Sequence, residues 1–227
     1  MVVAYSMMLR LSNDGHVYHV MLTYIALDLS LDEPEEFIEK IKAVAPDGEK
    51  GIVVQVVDAN CIAGREHLIE VLTQSLEAER RSCMLARKVE VDIMLRLACT
   101  RQISDAIERV GLKKESRMAL LIAIASEGVH HRREDEGEKG RSYYHNLLMA
   151  FKDRLKEVDG VKRVYDYDEV GVGRGEEEEE SSSSSIHAYE HLASVYGVSE
   201  QELASCIVPD GNRLASILAE RANLLHR

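Results

Sequence analysis

The chain contains no tryptophan and few other aromatic residues, and this shortage limits how its core can be built. Aromatic residues make up 5% of the 227 positions, with only two phenylalanines, whereas apolar residues in total make up 45%. The core must therefore be mostly aliphatic. A chain of this length is typical of one domain, or of one domain with appended segments.

Long apolar runs and paired cysteines are also missing. The longest apolar runs, such as residues 118–125, fall well short of the roughly 20 residues that a membrane-spanning helix requires. The N-terminus lacks the basic and apolar pattern of a secretory signal. The cysteines Cys61, Cys83, Cys99 and Cys206 are scattered, with no CxxC pair. These features predict no membrane contact, reduced thiols and a cytoplasmic location, rather than a disulfide framework or a zinc site.

Positive charge is scarce overall but unevenly distributed. The net charge is −12, from 28 lysines and arginines against 40 aspartates and glutamates. Residues 61–117 nevertheless contain 11 basic and 9 acidic residues. A local basic face can bind phosphate on an acidic protein because salt screens charges beyond about 10 Å. The acidic total argues against strong non-specific binding of nucleic acid.

Signatures of catalysis, cofactors and metals are missing as well. No serine lies in a GxSxG nucleophile-elbow pattern. The glycines of residues 171–175 are followed by glutamates, which would repel a phosphate, so they indicate a linker rather than a nucleotide site. His130 and His131 adjoin arginines, and no cysteine or carboxylate is clearly placed to complete a set with His187 and His191. We expect no cofactor and no metal.

The pattern of apolar residues predicts an α+β fold, a small sheet with several helices packed on it. Its strands are separated by one helix and then by three, which is not the regular alternation of a parallel sheet. The expected strands are residues 16–27, 51–57, 117–126 and 161–167. The expected helices begin after a cap at Asp32 and at about 65–80, 87–98, 100–110, 143–156 and 214–225, with a capping box at 199–202.

Residues 1–170 and 186–227 are expected to form one domain. Between them, residues 171–185 are low in complexity, with glycines, five glutamates and five serines. A segment with so little to bury is predicted to be a linker or a disordered loop. Residues 127–141 are charged and contain glycine, which favours a loop. Gly111 is expected to end a helix in the left-handed conformation.

Two phrases in the middle of the chain carry the most specific signal. Residues 57–68 read Val-Asp-Ala-Asn-Cys-Ile-Ala-Gly-Arg-Glu-His-Leu, and residues 100–112 read Thr-Arg-Gln-Ile-Ser-Asp-Ala-Ile-Glu-Arg-Val-Gly-Leu. With residues 18–20, 41–48 and 214–225, they resemble the small regulatory subunit of the KEOPS complex, in its archaeal type. This is the family of the PRPK-binding protein.

The resemblance implies a mostly antiparallel sheet and a non-catalytic subunit of the complex that makes threonylcarbamoyladenosine in certain tRNAs. Members of this family bind the small lobe of an atypical kinase/ATPase subunit and, through it, the other KEOPS subunits. Archaeal members are also associated with the single-stranded 3′ CCA end of tRNA. The implied partners are therefore the kinase subunit and the tRNA 3′ end.

Basic and polar residues at the predicted helix starts are the candidates for nucleic-acid contact. Arg65 and His67 begin one helix, where backbone N–H groups face anions, and His67 could stack on a base. Arg101 in a first helical turn would oppose the helix dipole, so it is expected to serve either a partner or an internal carboxylate. The full set is Arg65, His67, Arg87, Lys88, Arg101 and Gln102.

The C-terminal helix carries an apolar stripe that either packs against the domain or docks in part onto a partner protein. Leu218, Leu224 and Leu225 are the candidates for partner contact. Two other functions stay open. One is a stand-alone enzyme for a small anionic substrate that uses Cys61 or His67. The other is a protein-only adaptor without tRNA contact.

Overall fold

The computed structural model describes residues 7–13, 16–28, 33–46, 51–127, 137–167, 182–206 and 212–225. Within these residues it has five strands, which form an antiparallel sheet, and eight α-helices. This is the predicted α+β class, and it is consistent with a single domain. The boundaries 1–170 and 186–227 stay a prediction.

Contacts within the chain group the described residues into two units. The sheet unit contains the described residues of Met1–Val57 and Leu112–Val170. The helical unit contains those of Asp58–Gly111 and Gly171–Arg227. Each unit therefore brings together segments that are far apart in the sequence.

Strand β2 (His16–Leu27) is the centre of the sheet. One of its edges pairs with β4 (Met118–Glu127), and its other edge pairs with β1 (Met7–Asn13) and then with β5 (Val161–Asp166), all antiparallel. Strand β3 (Val53–Asp58) lies beyond β4. Nearly all side chains of β2 are buried, so both faces of the sheet are covered there, which fits its largely apolar sequence.

Two helices, α1 (Pro34–Ala43) and α5 (Gly137–Leu155), build the core of the sheet unit. Phe37 of α1 and Phe151 of α5 are both buried in one cluster with Met21 of β2. Burial of such apolar side chains is the main favourable contribution to folding. A buried ion pair between Lys152 and Asp166 also joins α5 to the end of β5.

Six helices form the helical unit within the described residues: α2 (Arg65–Arg80), α3 (Val89–Leu97), α4 (Ile103–Val110), α6 (Ser182–Val195), α7 (Glu200–Ser205) and α8 (Arg213–Leu224). Helix α2 packs against both α3 and α8. Its predicted apolar face at Leu68, Leu72 and Leu76 is buried. The predicted N-cap of α7 is confirmed, since the Ser199 side chain accepts from the Glu202 N–H. The reciprocal half of the capping box is replaced, because the Glu202 carboxylate accepts from Arg221.

Helices α2, α3 and α6 end in the same way, with a left-handed residue at which the chain turns back. These residues are Ser82, Cys99 and Gly197, with φ of 54°, 51° and 60°. After Cys99, the Thr100 N–H donates to the Leu95 carbonyl over 3.0 Å. Such bonds satisfy carbonyls that a helix end leaves unpaired. Only one of the three positions is the glycine that the sequence rule anticipates.

Gly111 does not have the predicted left-handed conformation. Its φ is −67°, in the extended region. A side chain is excluded there for another reason, because a Cβ atom would lie 2.5 Å from the Ile107 carbonyl oxygen. The close approach of the preceding helical turn, rather than φ, accounts for this glycine.

Three helix starts differ from the predictions. Helix α1 begins at Pro34 with Glu33 as an N-cap that makes no side-chain bond, whereas the predicted cap, Asp32, lies outside the described residues. Helix α4 begins at Ile103, so Arg101 precedes the helix instead of occupying its first turn. Helix α5 begins at residue 137, so residues 137–141 are helical rather than part of the predicted loop.

Strand β1 and helix α6 were not predicted. Asn13 of β1 pairs with His16, so only Asp14 and Gly15 separate the two strands. This dipeptide is a known signal for two-residue hairpins. Helix α6 includes residues 182–185, which were assigned to the low-complexity linker. Its start was missed because a run of serines has no apolar periodicity. Residues 171–181 of that linker lie outside the described residues.

Candidate functional site

All but one residue of each signature phrase, residues 58–68 and 100–111, and the C-terminal helix belong to the helical unit. Gly64 is the N-cap of α2 with φ of 143°, and a Cβ atom there would lie 3.1 Å from Nδ2 of Asn212. The Asn212 side chain accepts from the Ala215 N–H, which caps α8, and also donates to the Ala63 carbonyl. The glycine therefore lets the start of α8 lie against the start of α2.

Arg101 binds the other end of α8. Its guanidinium donates to the Leu225 carbonyl, with 2.6 Å between Nε and the oxygen and a second bond from Nη2. Leu225 is the C-cap of α8, where unpaired carbonyls carry partial negative charge that a cation stabilises. Arg101 was expected to contact either a partner molecule or an internal carboxylate. Its contact is internal, but the acceptor is a backbone carbonyl rather than a carboxylate.

Two further arginines bind helix ends in the same manner. Arg109 of α4 donates to the Ala98 carbonyl at the end of α3 over 3.0 Å. Arg221 of α8 donates to the Tyr196 carbonyl at the end of α6 over 2.6 Å, and its Nη2 lies 2.8 and 2.9 Å from the two Glu202 carboxylate oxygens. These contacts connect α3, α4, α6, α7 and α8 into one framework.

A buried ion pair positions the segment that leads into α3. Nε of Arg96 lies 2.7 Å from Oδ2 of Asp92, and both side chains are at most 1% exposed. Arg96 also donates to Gln74 of α2 and to the Ala222 carbonyl of α8, over 3.3 and 3.4 Å. The Leu85 N–H donates to the other oxygen of Asp92 over 2.5 Å. This network holds the loop that carries two of the candidate cations.

The other surface residues of the candidate set, three cations and one glutamine, face solvent. Arg65 is the first residue of α2, and Arg87 lies in the loop before α3. Both are exposed, and neither has a hydrogen bond or ion pair with a described residue. Lys88, the N-cap of α3, has a side chain 74% exposed and lies 3.9 Å from Glu90. Gln102 is exposed and does not cap α4 with its side chain.

The candidate residues do not form one cluster. Arg65 lies where α8 begins, next to the Gly64–Asn212 contact, whereas Arg101 lies where α8 ends. A 12-residue helix is about 18 Å long. Any ligand that contacts both arginines must therefore be extended.

His67 lies inside the helical unit. It is 0% exposed, its ring meets Tyr196 edge-on at 6.3 Å, and no described residue hydrogen-bonds to either ring nitrogen. Burial lowers its pKa to about 4, so the imidazole is neutral at neutral pH. This position offers no surface for the predicted base stacking, and we leave His67 out of the proposed site.

The three predicted partner-binding leucines have different environments. Leu218 is 0% exposed, and its carbonyl accepts a weak bond from the Cys99 thiol. Leu225 is partly buried, whereas Leu224 is 44% exposed. Of these three leucines, Leu224 is therefore the one whose side chain is most available to a partner.

The cysteine thiols near the signature phrases act as donors to the backbone. Sγ of Cys61 donates to the Arg109 carbonyl over 2.9 Å. Burial raises the pKa of Cys99 to about 12, so that thiol stays protonated. Among the described residues, no group of histidines, cysteines and carboxylates could hold a metal ion, and no helix is long and apolar enough to cross a membrane.

The sequence interpretation missed two exposed residues of α4. Ile103, Ala106, Ile107 and Val110 form one apolar stripe, as predicted, but only Ala106 and Val110 are buried. Ile103 and Ile107 are 51% and 53% exposed. The spacing of these four residues is typical of an ordinary buried helix face, so the sequence carried no signal that two of them are exposed.

Comparison with known proteins matches a family model to the part of the chain that contains both signature phrases. The family model described as kinase binding protein CGI-121 matches residues 33–202, about three quarters of the chain. No curated protein gave a match. The matched residues contain both phrases and end before α8. The chain belongs to the family of the kinase binding protein CGI-121.

Proposed function

We propose that this chain is the non-catalytic, kinase-binding subunit of a cytoplasmic KEOPS complex of archaeal type, and that it docks the 3′ CCA end of tRNA. The observation that carries this proposal is the family match, which extends through both signature phrases. A kinase-binding role agrees with the organised helical unit and with a sequence in which no catalytic motif was recognised. The contribution to tRNA modification is then to support the kinase/ATPase subunit and to position its RNA.

Exposed cations support the tRNA contact. Arg65 lies at the start of the 16-residue helix α2, where the N-cap glycine leaves backbone N–H groups without a side-chain acceptor. Such a helix end attracts anions. Arg87 and Lys88 add two exposed charges before α3. Cations of this kind hold a single strand mainly through its phosphates, while Arg101 and Gln102 offer contacts at the far end of α8.

Binding of labelled tRNA across a salt series tests this site. The Arg65→Ala/Arg87→Ala variant should bind tRNA at least about tenfold more weakly and should lower the slope of log K against log salt by about 1.4, because two phosphate contacts are lost. The control is Arg154→Ala/Lys162→Ala, which removes two exposed charges from the sheet unit. It should bind tRNA like the parent.

The same assay with tRNA lacking its 3′ CCA tests the part of the RNA that is bound. We expect the parent chain to lose most of its affinity for the shortened tRNA. Equal binding of both RNAs, or equal weakening by both double variants, would show that the contact is non-specific charge attraction.

A protein-only adaptor is the second candidate function. Two observations favour it: the net charge of −12, and the occupation of Arg101 by the Leu225 carbonyl. It predicts full kinase binding with no measurable tRNA affinity at any salt concentration. A stand-alone enzyme is less well supported than either binding function, because the Cys61 thiol donates to a backbone carbonyl and His67 is buried. Such an enzyme would show turnover without any partner protein.

A further inference from the structure

An open groove lies between helices α6 and α7 of the helical unit. Its volume is about 630 Å³, which is within the range of ligand-binding clefts. Helix α6 contributes two pairs of lining residues, Tyr189 with Ala193 and Glu190 with Ser194. The members of each pair are four residues apart, so they lie on the same side of the helix. The groove therefore follows α6 for more than one helical turn.

The corner that joins the two helices is held by hydrogen bonds. At Gly197, whose φ is 60°, the chain turns back, and the Val198 N–H donates to the Ala193 carbonyl over 2.8 Å. Arg221 of α8 binds both the end of α6 and the Glu202 carboxylate of α7. Because its walls are tied to each other, the groove exists before a ligand arrives, which lowers the entropic cost of binding.

The groove combines apolar side chains with negative charge. Ala193 and Val198, which line it, are buried, and Leu203 of α7 is partly buried. Glu190 and Glu200, one from each helix, are exposed. Among the described residues that line the groove, none carries a positive charge. This chemistry favours a ligand with both apolar groups and positive charge, and it disfavours phosphate.

The open side of the groove favours a segment of protein over a small molecule. Small-molecule sites enclose most of their ligand, whereas Glu190, Ser194 and Glu200 are exposed along this one. Proteins commonly bind an amphipathic helix of a partner in a groove between helices. The net charge of −12 argues against a second copy of this chain as the occupant, because two acidic chains repel each other.

We propose that the α6–α7 groove, defined by Tyr189, Glu190, Ser194, Glu200 and Leu203, binds a basic amphipathic helix of a partner protein. Apolar side chains of that helix cover Leu203 and Tyr189, and its lysines or arginines lie opposite the two glutamates. The site is separate from the proposed tRNA and kinase functions, since it uses none of the residues assigned to tRNA and lies outside both signature phrases.

Fluorescence anisotropy with the full chain and a labelled helical peptide tests this site. In the peptide, leucines form one stripe and lysines flank it. The parent should bind this peptide and should not bind a matched peptide with glutamates in place of the lysines. Ser194→Trp, which fills the groove from an exposed position, should weaken binding by about tenfold or more. Its control is Gln201→Trp, exposed on α7 outside the groove, which should change the affinity by less than about threefold.

Charge variants separate the groove from general attraction to an acidic protein. Glu190→Gln/Glu200→Gln should weaken binding of the lysine peptide by about fivefold at low salt. The control Glu35→Gln/Glu157→Gln removes two exposed charges from the sheet unit and should bind the peptide like the parent. Equal weakening by both double variants, or no binding by the parent, would overturn the proposal.

Other occupants of the groove would give different results with Ser194→Trp. Weaker binding of tRNA or of the kinase by this variant would mean that the groove holds RNA or the kinase instead. Loss of a concentration-dependent self-association that the parent shows would mean that it holds a second copy. Weaker peptide binding with unchanged tRNA and kinase binding supports the proposal.

Discussion

His67 is a buried titratable side chain, and it makes the stability of the protein depend on pH. In the unfolded chain its imidazole takes up a proton near pH 6.5, whereas in the folded chain burial lowers the pKa to about 4. Between these values the unfolded state binds more protons, so the free energy of unfolding falls as the pH falls from about 6.5 to 4. The contribution of the neutral, buried imidazole to the free energy of unfolding is fully present above about pH 6.5 and fully lost below about pH 4.

The His67→Leu variant should remove this pH dependence. Between pH 7 and pH 5 the parent should lose about 2 kcal/mol more of its free energy of unfolding than the variant, since one pKa unit corresponds to about 1.4 kcal/mol. At pH 7 the variant should be at least as stable, because an apolar side chain of similar size replaces a buried polar ring that no described residue hydrogen-bonds.

Urea unfolding at several pH values measures the effect. The control is His191→Leu, since His191 is exposed on α6. That variant should keep the pH dependence of the parent. A parallel loss of stability with acid in the parent and in His67→Leu would mean that His67 is not the group responsible.

At the scale of helices, side chains that reach across the helical unit decide how the elements are joined. Asn212 joins the start of α8 to the start of α2, and Arg101 joins its end to the segment before α4. Arg96 of α3, paired with Asp92, joins α3 to Gln74 of α2 and to the Ala222 carbonyl of α8. The positions of the exposed cations and isoleucines follow from these bonds.

Truncation of one partner of the Asp92–Arg96 pair should be strongly destabilising. Arg96→Met should lower the free energy of unfolding by about 3–5 kcal/mol, because it leaves the Asp92 carboxylate buried without its cation. The double variant Asp92→Leu/Arg96→Met should recover much of that loss, because no charge then remains buried. Chemical denaturation of the three proteins provides the comparison.

An exposed ion pair in the sheet unit is the matched control. Lys156 and Asp153 are 2.8 Å apart, with side chains 60% and 70% exposed. Asp153→Ala should change the free energy of unfolding by less than about 1 kcal/mol. If Arg96→Met were equally mild, the network would not be what holds α2, α3 and α8 together.

At the scale of the whole molecule, the distribution of charge sets which partners are possible. The chain has a net charge of −12. The residues proposed to bind RNA are nevertheless exposed arginines in the helical unit. The five consecutive glutamates of residues 176–180 are the densest negative charge in the sequence. They oppose RNA binding unless they point away from the tRNA site.

Deletion of residues 174–181 should leave kinase binding unchanged within about twofold, because it leaves both signature phrases of the kinase-binding family intact. The deletion removes five glutamates and one arginine, so tRNA binding should be unchanged or slightly tighter at low salt and unchanged at high salt. The deletion stops at 181 because residue 182 begins α6. Calorimetry with the kinase and a tRNA salt series measure both effects.

A Gly/Ser replacement of the same eight residues separates the effect of charge from that of length. It should behave like the deletion in both assays. A large loss of kinase affinity in the deletion alone would mean that the length of this segment matters to the interface.

The sequence was sufficient for much of the fold and for the family. Strand β2 and helix α2 have the predicted bounds, because the spacing of apolar residues reports which element a segment forms. The Ser199 N-cap of α7 was predicted from a local pair of residues three positions apart. The two signature phrases were sufficient to identify the family, since their residues are contiguous in the chain.

The roles of individual side chains depended on tertiary structure. The stripe of α4 predicts a helix with one apolar edge, but packing in the helical unit buries Ala106 and Val110 and leaves Ile103 and Ile107 exposed. The interior position of His67 and the bond from Arg101 to Leu225 likewise join residues more than 120 positions apart. Local periodicity determines which element forms, whereas burial and hydrogen-bond partners are set by distant segments that meet only in the folded chain.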